Sequence, residues 1–98
     1  TYIDDAVTAT LLAAIVPCAE GQIFNVGTGV ETTILALAET VQRITGSRSE
    51  IQYIDRRDID NVQRRVMNIE KARQVLRWIP VTHLHTGLTR TNQWLAEH

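Results

Sequence analysis

The stretch from Gly21 to Gly46 constrains the fold most, because it places a short strand pattern directly before a strongly amphipathic helix pattern. Residues 22–26 carry β-branched and aromatic side chains between two glycines, which predicts a buried strand. Thr32 or Thr33 can then cap a helix that ends at Gly46, where a left-handed glycine commonly closes a helix. The apolar stripe of this helix comprises Ile34, Leu37, Ala38, Val41 and Ile44.

A helix pattern precedes this unit and a second strand pattern follows it. Asp4 or Asp5 can cap an apolar-periodic helix over about residues 5–16. Ile51–Asp55 alternates in polarity and predicts a second short strand, after which residues 56–65 form a polar, irregular loop. The order helix, strand, helix, strand is typical of an α/β protein.

The last third of the chain predicts two more helices. Asn68 can cap a helix over residues 69–76, and Thr82 can cap a final helix. Trp78 and Trp94 lie at the ends of apolar runs and are expected to anchor the core or an interface. Two strands cannot form the sheet of a complete doubly wound domain, so the apolar faces need partners. The preceding part of a longer protein or another copy of the chain can supply them.

Charge and composition exclude several classes of partner. The 98 residues carry ten basic and eleven acidic side chains, a net charge of −1, which predicts no broad attraction to nucleic acid or an anionic membrane. Cys18 is the only cysteine, and the longest apolar run, Leu11–Val16, is far too short for a membrane span. His83 and His85 do not share a helix face, so no metal site is expected. We expect a cytoplasmic protein with one structural unit over residues 1–98.

Four segments resemble, in order and spacing, the C-terminal region of one enzyme family. Tyr2–Val7 looks like the family's Tyr-Val-Asp-Asp segment, and Phe24–Gly29 is similar to its Phe-Asn-Ile-Gly-Ser-Gly turn. Asn68–Pro80 resembles its Asp-x-x-Lys-Ala-x-x-x-Leu-Gly-Trp-x-Pro signature, with Arg77 in place of the usual glycine, and Gly87–Trp94 looks like its closing helix. The family is that of the extended short-chain dehydrogenases/reductases, which are NAD-dependent nucleotide-sugar epimerases and dehydratases.

The resemblance implies a partial Rossmann-like fold and the substrate-binding, C-terminal portion of a larger enzyme. Family members bind NAD with a Gly-rich loop and move protons and hydride with a Tyr-x-x-x-Lys pair. Here the only lysine, Lys71, has Met67 four residues before it. The Gly-Thr-Gly turn at 27–29 has Thr32 in the third glycine's position, which favours a tight turn over a phosphate-binding loop. We therefore expect no catalytic residue and no cofactor-binding residue in this chain, with NAD bound by the full-length parent.

The polar loop contains the candidate substrate-binding residues. Arg56–Asp60 resembles the family's Arg-x-Gly-Asp segment, which implies that Arg57 and Asp60 bind the diphosphate and the ribose of a nucleoside-diphosphate sugar. Guanidinium with phosphate and carboxylate with hydroxyl are sound physical pairings. Counting back from Asn68 places the family's aspartate at Asn61 instead. The alternative is a solvated charged loop whose arginines pair with neighbouring aspartates.

Two further pairs of charged residues have both a functional and a structural interpretation. Arg64 and Arg65 can touch a phosphate, although a surface salt bridge or strand-edge role is favoured. Asp4 and Asp5 can be taken for an acid–base couple of carboxylates. Adjacent residues at a helix start are better explained by capping and by the helix dipole.

Two functional hypotheses follow from these patterns. In the first, the chain is the substrate-side portion of a nucleotide-sugar epimerase or dehydratase and contacts the sugar nucleotide without being catalytic by itself. In the second, it is a stand-alone module that acts through homo-oligomerisation or protein interaction, using its exposed apolar faces. The residues do not distinguish one nucleotide sugar from another, nor epimerisation from dehydration, decarboxylation or reduction.

Overall fold

The computed structural model of the chain describes residues 1–55 and 64–98, and its regular elements in these two ranges are helical. Helix α1 spans Ile3–Ile15, α2 spans Ile34–Thr45 and α3 spans Leu84–Glu97. A 3-10 turn, Pro17–Ala19, follows α1, and a π-helical turn, Ala72–Leu76, lies between α2 and α3. The four predicted helical regions are therefore present.

The predicted alternation of helix and strand is not confirmed. Gln22–Val26 and Ile51–Asp55 belong to neither a helix nor a strand, and no strand occurs elsewhere in residues 1–55 or 64–98. The physical reason is that a strand exists only through backbone hydrogen bonds to a neighbouring strand. The side-chain pattern of these segments fits a sheet, but it cannot replace the missing neighbour.

Local capping signals around α2 are confirmed. The hydroxyl of Thr33 accepts a hydrogen bond from the amide of Ala36 at 3.0 Å, which satisfies one of the free donors of the first turn. Gly46 ends the helix with φ of 64°, the left-handed conformation that glycine adopts without steric cost. Asn68 also acts as predicted, because its side-chain oxygen accepts from the amide of Glu70 at 3.0 Å.

The capping interpretation of Asp5 is wrong, because this side chain bonds to a distant segment. Helix α1 begins after Tyr2, which provides no side-chain cap. The carboxylate of Asp5 instead accepts from the amides of Val81 at 3.3 Å and Thr82 at 3.0 Å. Thr82 is likewise not the residue before α3, a position that His83 occupies without a side-chain cap. One acidic side chain thus ties the first helix to the start of the last.

The core lies between α1 and the segment that contains the π-helical turn. Alanines allow the backbones to approach closely there, and Trp78 fills the remaining space with only 2% of its surface exposed. Trp78 is therefore the core anchor that the sequence predicted, whereas Trp94 is 57% exposed and stacks on His98. The buried apolar residues are Ala9, Ala19, Ile69, Ala72, Leu76 and Trp78.

A left-handed residue directs Trp78 into this core. Arg77 has φ of 55° and is the only non-glycine residue with positive φ in the described ranges. The amides of both Arg77 and Trp78 donate to the carbonyl oxygen of Ala72, which closes the π-helical turn. The indole of Trp78 then donates to the carbonyl oxygen of Asp5 at 3.0 Å. The turn and the core are thereby joined through one side chain.

One face of α1 is apolar and exposed. Ile3, Val7, Leu11 and Ile15 recur every fourth residue, and their exposed fractions range from 47% to 72%. Residues at this spacing share a helix face, so they form a continuous stripe, which we call the α1 apolar face. No helix in the described ranges is long and apolar enough to cross a lipid bilayer.

The left-handed conformation of Arg77 leads to a first prediction. Replacing Arg77 with glycine should raise the free energy of unfolding by about 0.5–1 kcal/mol, because the Cβ penalty disappears and glycine's extra chain entropy offsets only part of the gain. The matched control is Arg73→Gly inside the π-helical turn, which should lower stability by about 1 kcal/mol. Urea denaturation of both variants checks this. A loss of stability in Arg77→Gly would contradict it.

Candidate functional site

A groove of about 350 Å³ lies where the N-terminal ends of α2 and α3 meet. Thr28, Val30, Thr32 and Leu37 form its first wall, and residues 80–84 form its second. Thr1 and Arg65 complete the lining. The volume falls at the lower end of the range of small-molecule sites, and the lining combines hydroxyl groups, an imidazole and a guanidinium with a larger apolar surface. We call it the inter-helix groove.

The first wall is a glycine-containing turn whose glycines are explained by packing. A Cβ atom on Gly27 would lie 3.3 Å from the sulfur of Met67, and one on Gly29 would lie 3.2 Å from Cδ1 of Ile69. Gly29 also has φ of 69°. The protein's own side chains therefore fill the space beside both glycines, which accounts for glycine at these positions. The tight-turn interpretation of the sequence is supported.

The second wall is held in place by α1. Val81 and Thr82 donate their amides to Asp5, and the next two residues, His83 and Leu84, line the groove. Helix α3 starts at Leu84, so the amides of its first turn lie at the same end of the groove as the imidazole. The wall is thus positioned by a contact between residues that lie far apart in the sequence.

Arg64 and Arg65 have different surroundings. Arg64 forms a bidentate pair with Glu31, with Nε 2.8 Å from Oε1 and Nη2 2.5 Å from Oε2. The Arg64 guanidinium holds the pKa of the Glu31 carboxyl below its usual value, and the carboxylate raises the pKa of Arg64. The salt-bridge interpretation is therefore confirmed for Arg64. Arg65 lines the groove, where its guanidinium can meet an anion.

The predicted substrate-binding residues, Arg57 and Asp60, lie outside the described residues, so the structure does not place them. Arg64, the first described residue after them, is paired with Glu31. His83 belongs to the site although the sequence did not single it out as a ligand contact. Its only local signal is its place just before a helix, which many residues share.

Lys71 has a structural role in this arrangement. Its ammonium donates to the carbonyl oxygen of Ile23 at 2.9 Å and lies 5.1 Å from the centre of the Phe24 ring. These contacts hold the segment that leads into the glycine turn. Among residues 1–55 and 64–98, no group of three His, Cys, Asp or Glu side chains is arranged to hold a metal ion.

Comparison with models of known protein families gives no match. Among curated proteins, the chain is 39% identical over 72 residues to UDP-glucuronic acid decarboxylase 1 of Danio rerio, an overlap of 74% of this chain and 17% of that protein. It is 34% identical over 90 residues to the UDP-glucose 4-epimerase of Mycolicibacterium smegmatis, which is 92% of this chain and 28% of that protein. The chain spans less than a third of the length of the curated relatives it matches.

A solved structure is similar over nearly the whole chain. It is an epimerase of the methanogen Methanothermobacter thermautotrophicus, with a TM-score of 0.95 and 30% sequence identity. The match covers 99% of this chain and 29% of the epimerase. The fold described above is therefore similar to that of one portion of this longer epimerase.

A position can require glycine because its φ is positive or because a Cβ atom would not fit, and Gly21 and Gly29 allow these two reasons to be separated. Both have φ near 70°, but no described atom lies within 4 Å of a Cβ added to Gly21. Gly21→Ala should therefore lower the free energy of unfolding by about 1 kcal/mol through the backbone alone. Gly29→Ala should cost roughly 2–3 kcal/mol, because its Cβ would also press on Ile69. Adding Ile69→Val should restore part of that loss in thermal unfolding, and equal losses for the two alanines would refute the packing role.

The pair of Glu31 and Arg64 leads to a prediction for pH. Because the pKa of folded Glu31 is lowered, the pair's contribution is complete above the usual glutamate pKa and is lost as pH falls through the lowered value. In Arg64→Gln the Glu31 carboxyl should titrate at higher pH than in the wild type, as NMR of its side-chain carbon would show. Arg65→Gln is the matched control and should leave the Glu31 titration in place.

Proposed function

Since this chain belongs to the extended short-chain dehydrogenase/reductase family, we propose that it is the substrate-side portion of an NAD-dependent nucleotide-sugar epimerase or dehydratase. The observation that carries the proposal is the match of 99% of the chain to part of an epimerase with a TM-score of 0.95. The inter-helix groove provides the place where such a portion would meet its ligand. In this proposal residues 1–98 act as one C-terminal, substrate-binding unit.

The ligand contacts are proposed to combine the polar loop with the groove. Arg57 would bind the diphosphate through its planar guanidinium, and Asp60 would accept hydrogen bonds from the ribose hydroxyls. The position of Arg65 supports this proposal, because Arg65 is the last residue of the polar loop and lines the groove. The guanidinium of Arg65 would then pair with one negative charge of the diphosphate and that of Arg57 with the other.

Catalysis is assigned to the rest of the parent enzyme. NAD bound there would accept and return the hydride that such reactions require. Lys71 is not proposed as a catalytic residue, because its ammonium is engaged with Ile23 and Phe24. The role left to this chain is to bind and orient the sugar nucleotide.

A second candidate function is supported by a separate observation. The α1 apolar face exposes four large side chains in one stripe, which a second copy of the chain could cover. A stand-alone homo-oligomer would then be the functional form. Sedimentation equilibrium tests this candidate, and a folded monomer at all concentrations would argue against it.

Titration of the chain with UDP-glucose tests the main proposal. Isothermal calorimetry should show binding, and Arg57→Gln and Asp60→Asn should each weaken it by about 10- to 100-fold, the loss of a charge-assisted hydrogen bond. Arg48→Gln is the matched control, since it removes an exposed arginine that does not line the groove. Equal affinity in all four proteins would exclude Arg57 and Asp60 as contacts. Absence of binding to UDP-, dTDP- and GDP-sugars would remove the binding role from this chain.

A further inference from the structure

Asp5 is a buried carboxylate whose hydrogen bonds all join it to one distant segment. Only 3% of its surface is exposed, and its two side-chain oxygens accept from the consecutive amides of Val81 and Thr82. Its carbonyl oxygen accepts from the indole of Trp78. Asp5 thus accepts three hydrogen bonds, which fix residues 78–82 against α1.

We call the hydrogen bonds from Val81 and Thr82 to the Asp5 carboxylate the clamp, and they hold the segment that leads into α3. A carboxylate that binds two successive amides fixes the position of the residue between them and the orientation of the two peptide planes that flank it. His83 and Leu84 follow at once, line the inter-helix groove and start α3. The amide of Gly87 then donates to the carbonyl of His83 at 2.9 Å, so a shift of this segment would be passed to the first turn of the helix.

We propose that Asp5 is the positioning residue of the inter-helix groove, needed for nucleotide-sugar affinity although it does not line the groove. This inference rests on the proposed function, in which a nucleoside-diphosphate sugar occupies the groove. Asp5 acts through Val81 and Thr82, which hold the imidazole of His83 and the first amides of α3 toward the ligand. A displaced wall would leave those donors out of reach of the ligand oxygens.

The chemistry of the carboxylate makes the proposal specific. It offers two acceptor oxygens, whereas an asparagine at the same place offers one oxygen and an NH₂ group that cannot accept. Asp5→Asn should therefore keep one of the two amide bonds, and Asp5→Ala should lose both. Neighbouring Asp4 lies in the same helical turn but is exposed, so Asp4→Asn removes the same charge without touching the clamp.

The experiment measures two quantities on the 98-residue chain. The first is NMR hydrogen exchange at the amides of Val81 and Thr82 relative to the amides of α2, and the second is the dissociation constant for UDP-glucose. The proteins are the wild type, Asp5→Asn, Asp5→Ala, the charge control Asp4→Asn, and Leu76→Val. The last variant lowers the stability of the core away from the groove and so controls for general loosening.

Asp5→Ala should accelerate exchange selectively at both amides and weaken binding by about tenfold or more, the equivalent of one lost hydrogen-bonded contact. Asp5→Asn should accelerate exchange at one of the two amides, and its affinity should lie between those of the wild type and Asp5→Ala. Leu76→Val should accelerate exchange evenly, and Asp4→Asn should change neither quantity. Wild-type affinity in Asp5→Ala, or unchanged relative exchange at Val81 and Thr82, would overturn the inference. If the wild type itself binds no nucleotide sugar, the proposed function fails for this chain, and the exchange data alone decide the role of Asp5.

Discussion

The buried carboxylate of Asp5 is the interaction on which the rest of the described structure depends. Burying a charge is costly unless hydrogen bonds replace the lost water, and here two backbone amides do so. Helix α1 packs on the π-helical turn, while α2 packs on α3. Asp5 joins the two pairs, and Tyr2 adds a contact, because its ring packs on Gly87 of α3. The groove lies at the N-terminal ends of α2 and α3, and the segment that Asp5 holds forms one of its walls.

The absence of strand pairing within residues 1–55 and 64–98 is a second constraint on the fold. A segment with strand-like side chains but no neighbour must be held by side-chain contacts alone. Phe24 and Val26 pack against the core, and Lys71 covers one free carbonyl at Ile23. Ile54 has no comparable contact in the core and is 85% exposed. The match to part of a longer epimerase covers 99% of the chain, and apolar side chains such as Ile54 are exposed in it.

What could be predicted from the sequence was local. Thr33, Gly46 and Asn68 act on amides or dihedral angles within a few residues, so their residue type and position sufficed. Asp5 carried the same local signal, yet its partners lie 76 and 77 residues away. Strand pairing is non-local in the same sense, which is why an apolar pattern could suggest strands without ensuring them. The fold family was recognisable because four separate segments kept a common order.

The groove shows why a motif is a weaker guide to chemistry than a position in space. The glycines at 27 and 29 resemble the start of a phosphate-binding loop, but Met67 and Ile69 account for both. The polar groups that face the groove come from widely separated parts of the chain, including Thr28, Arg65 and His83. Thr28 belongs to the glycine turn, whereas neither Arg65 nor His83 forms a motif with its neighbours. In the proposed function, selectivity among nucleotide sugars would depend in part on how the fold spaces those groups, and contacts such as the one at Asp5 set that spacing.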